Sequence, residues 1–167
     1  LGNNSASDTD PVTPRVISLT KIWSGAIAND AASLTITGTV AGDIASAVAG
    51  TSTAPSTTTN ASANAKVGAT INLTEAFTTG IAANYTSTLT CIKDAGGSAV
   101  AVTASGLTGS LVMPGDSNVT CTYTNTRKTF GITLTKTWAN AIAGNAVSLA
   151  ITGGSIATGG TSTAPST

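Results

Sequence analysis

Apolar and polar residues alternate with a period of two along most of the chain. Ile17, Leu19, Lys21 and Trp23 share one face of a first run, Leu34 and Ile36 one face of a second, and Ile71, Leu73, Glu75 and Phe77 one face of a third. Tyr85, Ser87, Leu89 and Cys91 follow, then Leu111 and Met113, then Val119, Cys121, Tyr123 and Asn125. Threonine and serine fill most positions between them, which predicts strands with one buried and one exposed face. The stretches "GTSTAPSTTTNASANAKVG" and "DAGGSAVAVTASG" are rich in turn formers and small residues, and they read as loops or irregular edges. Many short strands at this spacing predict an all-β fold, an antiparallel Greek-key β-sandwich.

The pattern also repeats on a longer scale. "ISLTKIWSGAIANDAASLTITG" at residues 17–38 returns as "ITLTKTWANAIAGNAVSLAITG" at 132–153, and "GTSTAPST" at 50–57 returns at 160–167. These are tandem repeats of roughly domain length, and the second copy stops partway. Residues 1–15 are polar, hold two prolines and read as a linker; 16–128 make a complete sandwich repeat; 129–167 are the first part of a second, incomplete one. The second copy has no counterparts of Leu73, Leu89, Cys121 or Tyr123, so it is not expected to close a core by itself. Leu1 opens the chain without a signal-peptide pattern, as expected of a mature or excised piece.

Composition narrows the chemistry. Only 8% of residues are charged, seven basic and seven acidic, and histidine is absent. That balance gives no electrostatic footprint for nucleic acid and no polybasic attraction to a membrane. No apolar run approaches the roughly 18 residues that a spanning helix needs, so membrane insertion is not expected. The chain offers no Ser-His-Asp or Cys-His set, no phosphate loop and no metal-ligand spacing, which predicts neither a conventional enzyme nor a cofactor. The two cysteines, Cys91 and Cys121, both lie in the inward phase of strands. A disulfide between neighbouring strands fits this placement and would imply export, whereas two buried free thiols are the other reading.

Three inward positions break the apolar pattern: Lys21, Glu75 and Asn125. Burying an unpaired ammonium or carboxylate costs several kcal/mol, so their shared phase calls for a shared explanation. The strand pattern by itself leaves a covalent crosslink, a buried noncovalent cluster and exposure at strand ends all open.

The motifs "LTKIW" on the first strand, "INLTEAFTTGIAANYT" in the middle and "CTYTNTR" on the last resemble those of the CnaB or SpaA-like domains of bacterial surface proteins, which have a prealbumin-like sandwich. The resemblance spans about residues 16–128 and, by repetition, the second copy. In that family an inward lysine on the first strand attacks an asparagine on the last, assisted by a glutamate between them. The resemblance therefore implies Lys21 and Asn125 as the partners of an isopeptide bond and Glu75 as the group that promotes it. A protonated Glu75 would hydrogen-bond the Asn125 carbonyl and then pass a proton to the departing ammonia.

The expected function is that of a structural repeat in an extracellular or cell-surface fibre, stalk or adhesin, joined to neighbouring repeats or to identical chains in a filament. A host or matrix ligand is a further candidate partner. The alternative is a ligand- or carbohydrate-binding adhesion module in which the stretch from Thr39 to Asn64 is a presenting loop on the sandwich scaffold.

Overall fold

The computed structural model of the chain describes residues 13–56, 59–153, 156–163 and 165. Two compact units divide it, Leu1–Lys128 and Thr129–Thr167, and most of the stretch read as a linker lies outside the described residues.

Among the described residues the first unit carries eleven strands: β1 (Arg15–Ser24), β2 (Ala31–Gly38), β3 (Ile44–Val48), β4 (Gly50–Thr53), β5 (Thr59–Ala65), β6 (Thr70–Thr79), β7 (Tyr85–Lys93), β8 (Ala99–Val100), β9 (Thr103–Ser105), β10 (Thr108–Val112) and β11 (Val119–Arg127). One sheet runs in the order β3-β5-β1-β11-β7-β8, and the other in the order β4-β2-β6-β10-β9. Most inward residues of both sheets meet in one core, and Trp23, Ala32, Ala54 and Tyr85 form a smaller cluster. Ile17, Leu19, Leu34, Ile36, Ile71, Leu73, Leu111, Met113, Val119, Cys121 and Tyr123 are all buried in the larger core, as the alternation predicts. Burying such side chains is worth about 1.5–3 kcal/mol each, which sets the strand register, since a slip by one residue would turn every one of them outward.

Three expectations need correction. Arg15 is not linker: it pairs with Ala65 in the β1–β5 ladder, and its guanidinium donates to the Gly115 carbonyl. The stretch from Thr39 to Asn64 is not a presenting loop, because β3 and β4 lie within it and β5 runs through its end. In β5 the alternation is written in small residues, with Ala61, Ala63 and Ala65 buried against β1. Alanine and asparagine are weak strand formers, so only pairing with β1 and β3 makes this segment a strand. Finally, one ladder is not antiparallel. β1 and β11, the first and last described strands of the unit, lie side by side in parallel register, Lys21 opposite Tyr123 and Trp23 opposite Asn125.

Among its described residues the second unit has one pair of strands, β12 (Ala146–Gly153) with β13 (Ile156–Thr163), paired antiparallel. Residues 129–138, which share the sequence pattern of β1, form no strand. A strand exists only through partners, and among the described residues of this unit no counterpart of β5 or β11 is present.

Candidate functional site

Lys21, Glu75 and Asn125 meet at one end of the core. β1 and β11 hold Lys21 and Asn125 in one sheet, and β6 brings Glu75 across from the other. All three are sealed from solvent, at 0%, 2% and 0% exposure. A single oxygen organises them: Glu75 Oε1 lies 3.1 Å from Lys21 Nζ and accepts from Asn125 Nδ2 at 2.7 Å. Ser87, directly opposite Asn125 on β7, donates to the other oxygen, Oε2, at 3.2 Å. The backbone N–H of Glu75 is anchored at 2.8 Å on the Leu107 carbonyl. The carboxyl group is thus held on both oxygens and at its backbone.

The electrostatics follow from burial. Desolvation pulls the Lys21 ammonium from its ordinary 10.5 down to about 8, against the opposing attraction of Glu75. Its Nζ sits 4.3 Å from the centre of the Trp23 ring and 3.4 Å from the Ile22 carbonyl. Beside it, burial and the neighbouring Glu75 raise the Tyr123 hydroxyl above its ordinary range, and that hydroxyl faces the carbonyls of Leu73 and Leu107. Among the described residues Asn125 Oδ1 is buried without a hydrogen-bond partner. Such an orphan acceptor costs about 1–3 kcal/mol. The carbonyl of Asn125 therefore gains nothing from its present surroundings, and its carbon stands among an amine and a carboxyl group.

In this arrangement the amide nitrogen of Asn125, not its carbonyl, faces Glu75. A carboxylate can only accept, so it selects the N–H side of the amide. The hydrogen bond expected between the Asn125 carbonyl and Glu75 requires a protonated carboxyl and a half-turn of the amide.

One inward position beyond this cluster, β1, β6 and β7 carry aromatic rings. Trp23 follows Lys21 and Phe77 follows Glu75, while Tyr85 lies two residues before Ser87 on β7. Their ring centres are 5.6 Å apart for Trp23 and Phe77, 5.7 Å for Trp23 and Tyr85, and 5.4 Å for Phe77 and Tyr85. Trp23 Nε1 donates to Ser52 Oγ at 3.1 Å, which pins the indole over the site. The Tyr85 hydroxyl donates to Asp30 and accepts from the N–H of Ile27. Asp30 is buried, and a side chain at Gly80 would collide with its carboxyl group. Sequence reading missed Asp30 and gave no role to Ser87. Asp30 sits in a turn after Asn29, whose φ is 72°, where strand periodicity has nothing to say.

Cys91 and Cys121 form a disulfide and occupy directly opposed positions of β7 and β11. Of the two readings left open by their phase, the bridge is the one found, and no described cysteine is free.

Residues 17–127 match a SpaA family model described as a prealbumin-like fold domain. No curated protein matches the chain. Among solved structures it is similar to the major pilin protein (T-13) of Streptococcus pyogenes, with 16% identity and a TM-score of 0.44, covering 70% of this chain and 46% of that one. A point-mutant major pilin of Streptococcus pyogenes is similar at 17% identity and a TM-score of 0.39, covering 69% of this chain and 48% of that one. The chain thus spans about half the length of each of these pilins. The match across the whole first sandwich fixes the family: the chain belongs to the SpaA-type prealbumin-like fold domains.

Proposed function

We propose that the first unit is a self-crosslinking structural repeat of an extracellular surface fibre, stalk or adhesin, in which Lys21 and Asn125 join in an isopeptide bond under the direction of Glu75. The observation that carries this reading is the sealed Lys21–Glu75–Asn125 cluster spanning the parallel terminal strands β1 and β11. The disulfide supports an exported location, since such bonds persist in oxidising compartments. The returning sequence blocks agree with a filament whose partners are neighbouring repeats or identical chains.

The chemistry balances without a cofactor. Lys21 Nζ gives a proton to Glu75 Oε1 across their 3.1 Å contact, leaving a neutral amine and a neutral carboxyl. The low affinity of this buried amine for its proton favours the transfer. The Asn125 amide turns by half a rotation, so that Oδ1 accepts from the protonated Oε1 and its carbon becomes electrophilic. Nζ then bonds to Cγ, and the tetrahedral oxygen is held by the carboxyl proton. The Cγ–Nδ2 bond breaks as Nδ2 receives the proton shed by Nζ through Glu75, and the nitrogen leaves as ammonia. Ser87 keeps Oε2 in place, so that Oε1 serves both partners. The site acts once, on its own chain.

The pH response separates bonded from unbonded lysine. In Asn125→Ala the amine stays free, and burial should still hold its pKa below the ordinary 10.5, as it does in the parent fold, where the value falls to about 8. Between these values the unfolded chain binds more protons than the folded one, so stability rises with pH and is lost as pH falls through 8. The gain is on the order of a few kcal/mol across the window. Urea denaturation at pH 7.5 and 9.5 should show it in Asn125→Ala and not in the wild type, whose Lys21 nitrogen is an amide. Equal slopes in both would count against the bond.

Mechanical function follows from topology. Because β1 and β11 run parallel, the chain enters at one end of the sandwich and leaves at the other, and tension between its ends shears this ladder. A bond from Lys21 to Asn125 carries the load past every residue between them. Pulled singly, the wild-type unit should give no long unfolding step. Lys21→Ala should release on the order of 250 Å, at about 3.4 Å per residue with the disulfide loop withheld. A long step in the wild type would refute the load-bearing role.

A further inference from the structure

The turn between β1 and β2 recurs in the second unit with one exchange of side chain. Asn29 and Gly144 both take a positive φ, 72° and 85°, and the hydrogen bond from Asp30 N to the Ile27 carbonyl returns from Asn145 N to the Ile142 carbonyl. The same backbone is thus built with aspartate in one unit and asparagine in the other. The turn does not need a carboxylate, so the side chain of Asp30 has another task.

Its contacts show which one. Asp30 is 7% exposed and accepts from the hydroxyl of Tyr85, which in turn accepts from the N–H of Ile27 at 3.2 Å. Burial, and then this bond to Asp30, push the Tyr85 hydroxyl above its ordinary range, so it stays protonated and able to donate. The surroundings are shaped to the carboxyl group, since a Cβ on Gly80, whose φ is +88°, would lie 2.5 Å from Asp30 Oδ1. The backbone of the turn grips the chain just past β4: Ala54 N donates to the Asp30 carbonyl at 2.8 Å, and Asn29 N donates to the Ala54 carbonyl at 3.3 Å. β4 carries Ser52, the acceptor of the Trp23 indole. One turn therefore fixes two of the three rings beside Lys21.

Those rings stand where water would enter. Trp23, Phe77 and Tyr85 lie at or near the ends of β1, β6 and β7, and the ends of elements open most easily. Trp23 and Tyr85 are nonetheless buried, and Lys21 Nζ lies 4.3 Å from the centre of the Trp23 ring.

We propose that Asp30 is a positioning residue of the crosslinking site: by holding Tyr85 it shuts the three rings over Lys21 and keeps the amine dry. It acts through Tyr85 and Trp23, not on the reacting atoms. Its part in the reaction rests on the reading of Lys21 and Asn125 as crosslink partners; its part in closing the rings does not. The titratable groups that face Lys21 are Glu75 from β6 and Tyr123 from β11, and Arg127 stands opposite Tyr85. All three are kept in the test.

The full chain with Trp138→Phe has Trp23 as its sole tryptophan. With Asn125→Ala added, no bond forms and Lys21 titrates. Asp30→Ala should then raise acrylamide quenching of Trp23 several-fold and move the Lys21 titration, followed by NMR, upward toward 10.5. The direction is diagnostic, because loss of a negative charge would by itself move it downward. With Asn125 present, loss of ammonia during cell-free synthesis at pH 7 should slow about tenfold for each pH unit by which the titration rises. Asp30→Asn, which restores an acceptor for Tyr85, should rescue all three readouts. Tyr85→Phe, which keeps the ring and removes the donor, should behave as Asp30→Ala and replaces it if that variant does not fold. Unchanged quenching and titration would overturn the closure. Changed quenching with an unchanged rate would overturn the part in the reaction. No loss of ammonia with Asp30 and Asn125 both intact would refute the crosslink reading and that part with it, while quenching and titration still decide the closure.

Discussion

Glu75→Gln is expected to leave Lys21 and Asn125 unjoined and to destabilise the first unit more than any other single change. Two effects add. The glutamine can neither accept a proton from Lys21 nor hand one to the leaving nitrogen, so the reaction has no path. The ammonium is then buried without its counter-charge, which costs about 3–5 kcal/mol. Loss of the crosslink also restores freedom to the unfolded chain between Lys21 and Asn125, worth about 4–5 kcal/mol for a loop of that length. Together these predict a fall in Tm on the order of 20 °C or more. Adding Lys21→Met to Glu75→Gln should recover the electrostatic part, because a buried charge replaced by an apolar chain of similar length is tolerated. Crosslinking should not return. A Glu75→Gln protein that still unfolds at the wild-type temperature would show that the cluster contributes neither bond nor ion pair.

Removing the disulfide is expected to have the next largest effect. Cys91→Ala with Cys121→Ala opens a loop of sequence separation 30, and the loop-entropy estimate for that length is about 3–4 kcal/mol. Both positions are buried, at 3% and 0% exposure, so the lost sulfur contacts add to the cost. A drop in Tm on the order of 10–20 °C follows for a domain of this size. The two staples divide the work on β11: the disulfide ties it to β7 through Cys121, and the proposed isopeptide ties it to β1 through Asn125. Crosslink formation should survive the cysteine change, since Cys121 and Asn125 are separate inward positions of one strand. A shift of only a degree or two would mean that the ladder alone fixes β7 against β11.

The site was more legible in the sequence than the fold around it. A period of two places Lys21, Glu75 and Asn125 in the inward phase, and scarcity of charge makes each one conspicuous. Cys91 and Cys121 were legible for the same reason. What periodicity cannot supply is pairing. The parallel contact of β1 with β11 joins residues from opposite ends of the unit, and no local signal encodes it. β5 hid because its inward residues are alanines, whose strand state comes from their neighbours. Ser87 looked like an ordinary strand serine until Glu75 was brought across from the other sheet. Residues 132–138 make the converse point: they carry the alternation of β1 and yet form no strand where its partners are missing.

The crosslink is tested most directly by the intact mass of the unmodified chain, measured after full reduction so that the disulfide does not contribute. The bond predicts a mass lower than that calculated from the sequence by one ammonia, with Lys21→Ala and Glu75→Gln each matching their own calculated masses. A wild-type mass equal to the calculated value would contradict it and leave Lys21, Glu75 and Asn125 as a buried polar cluster.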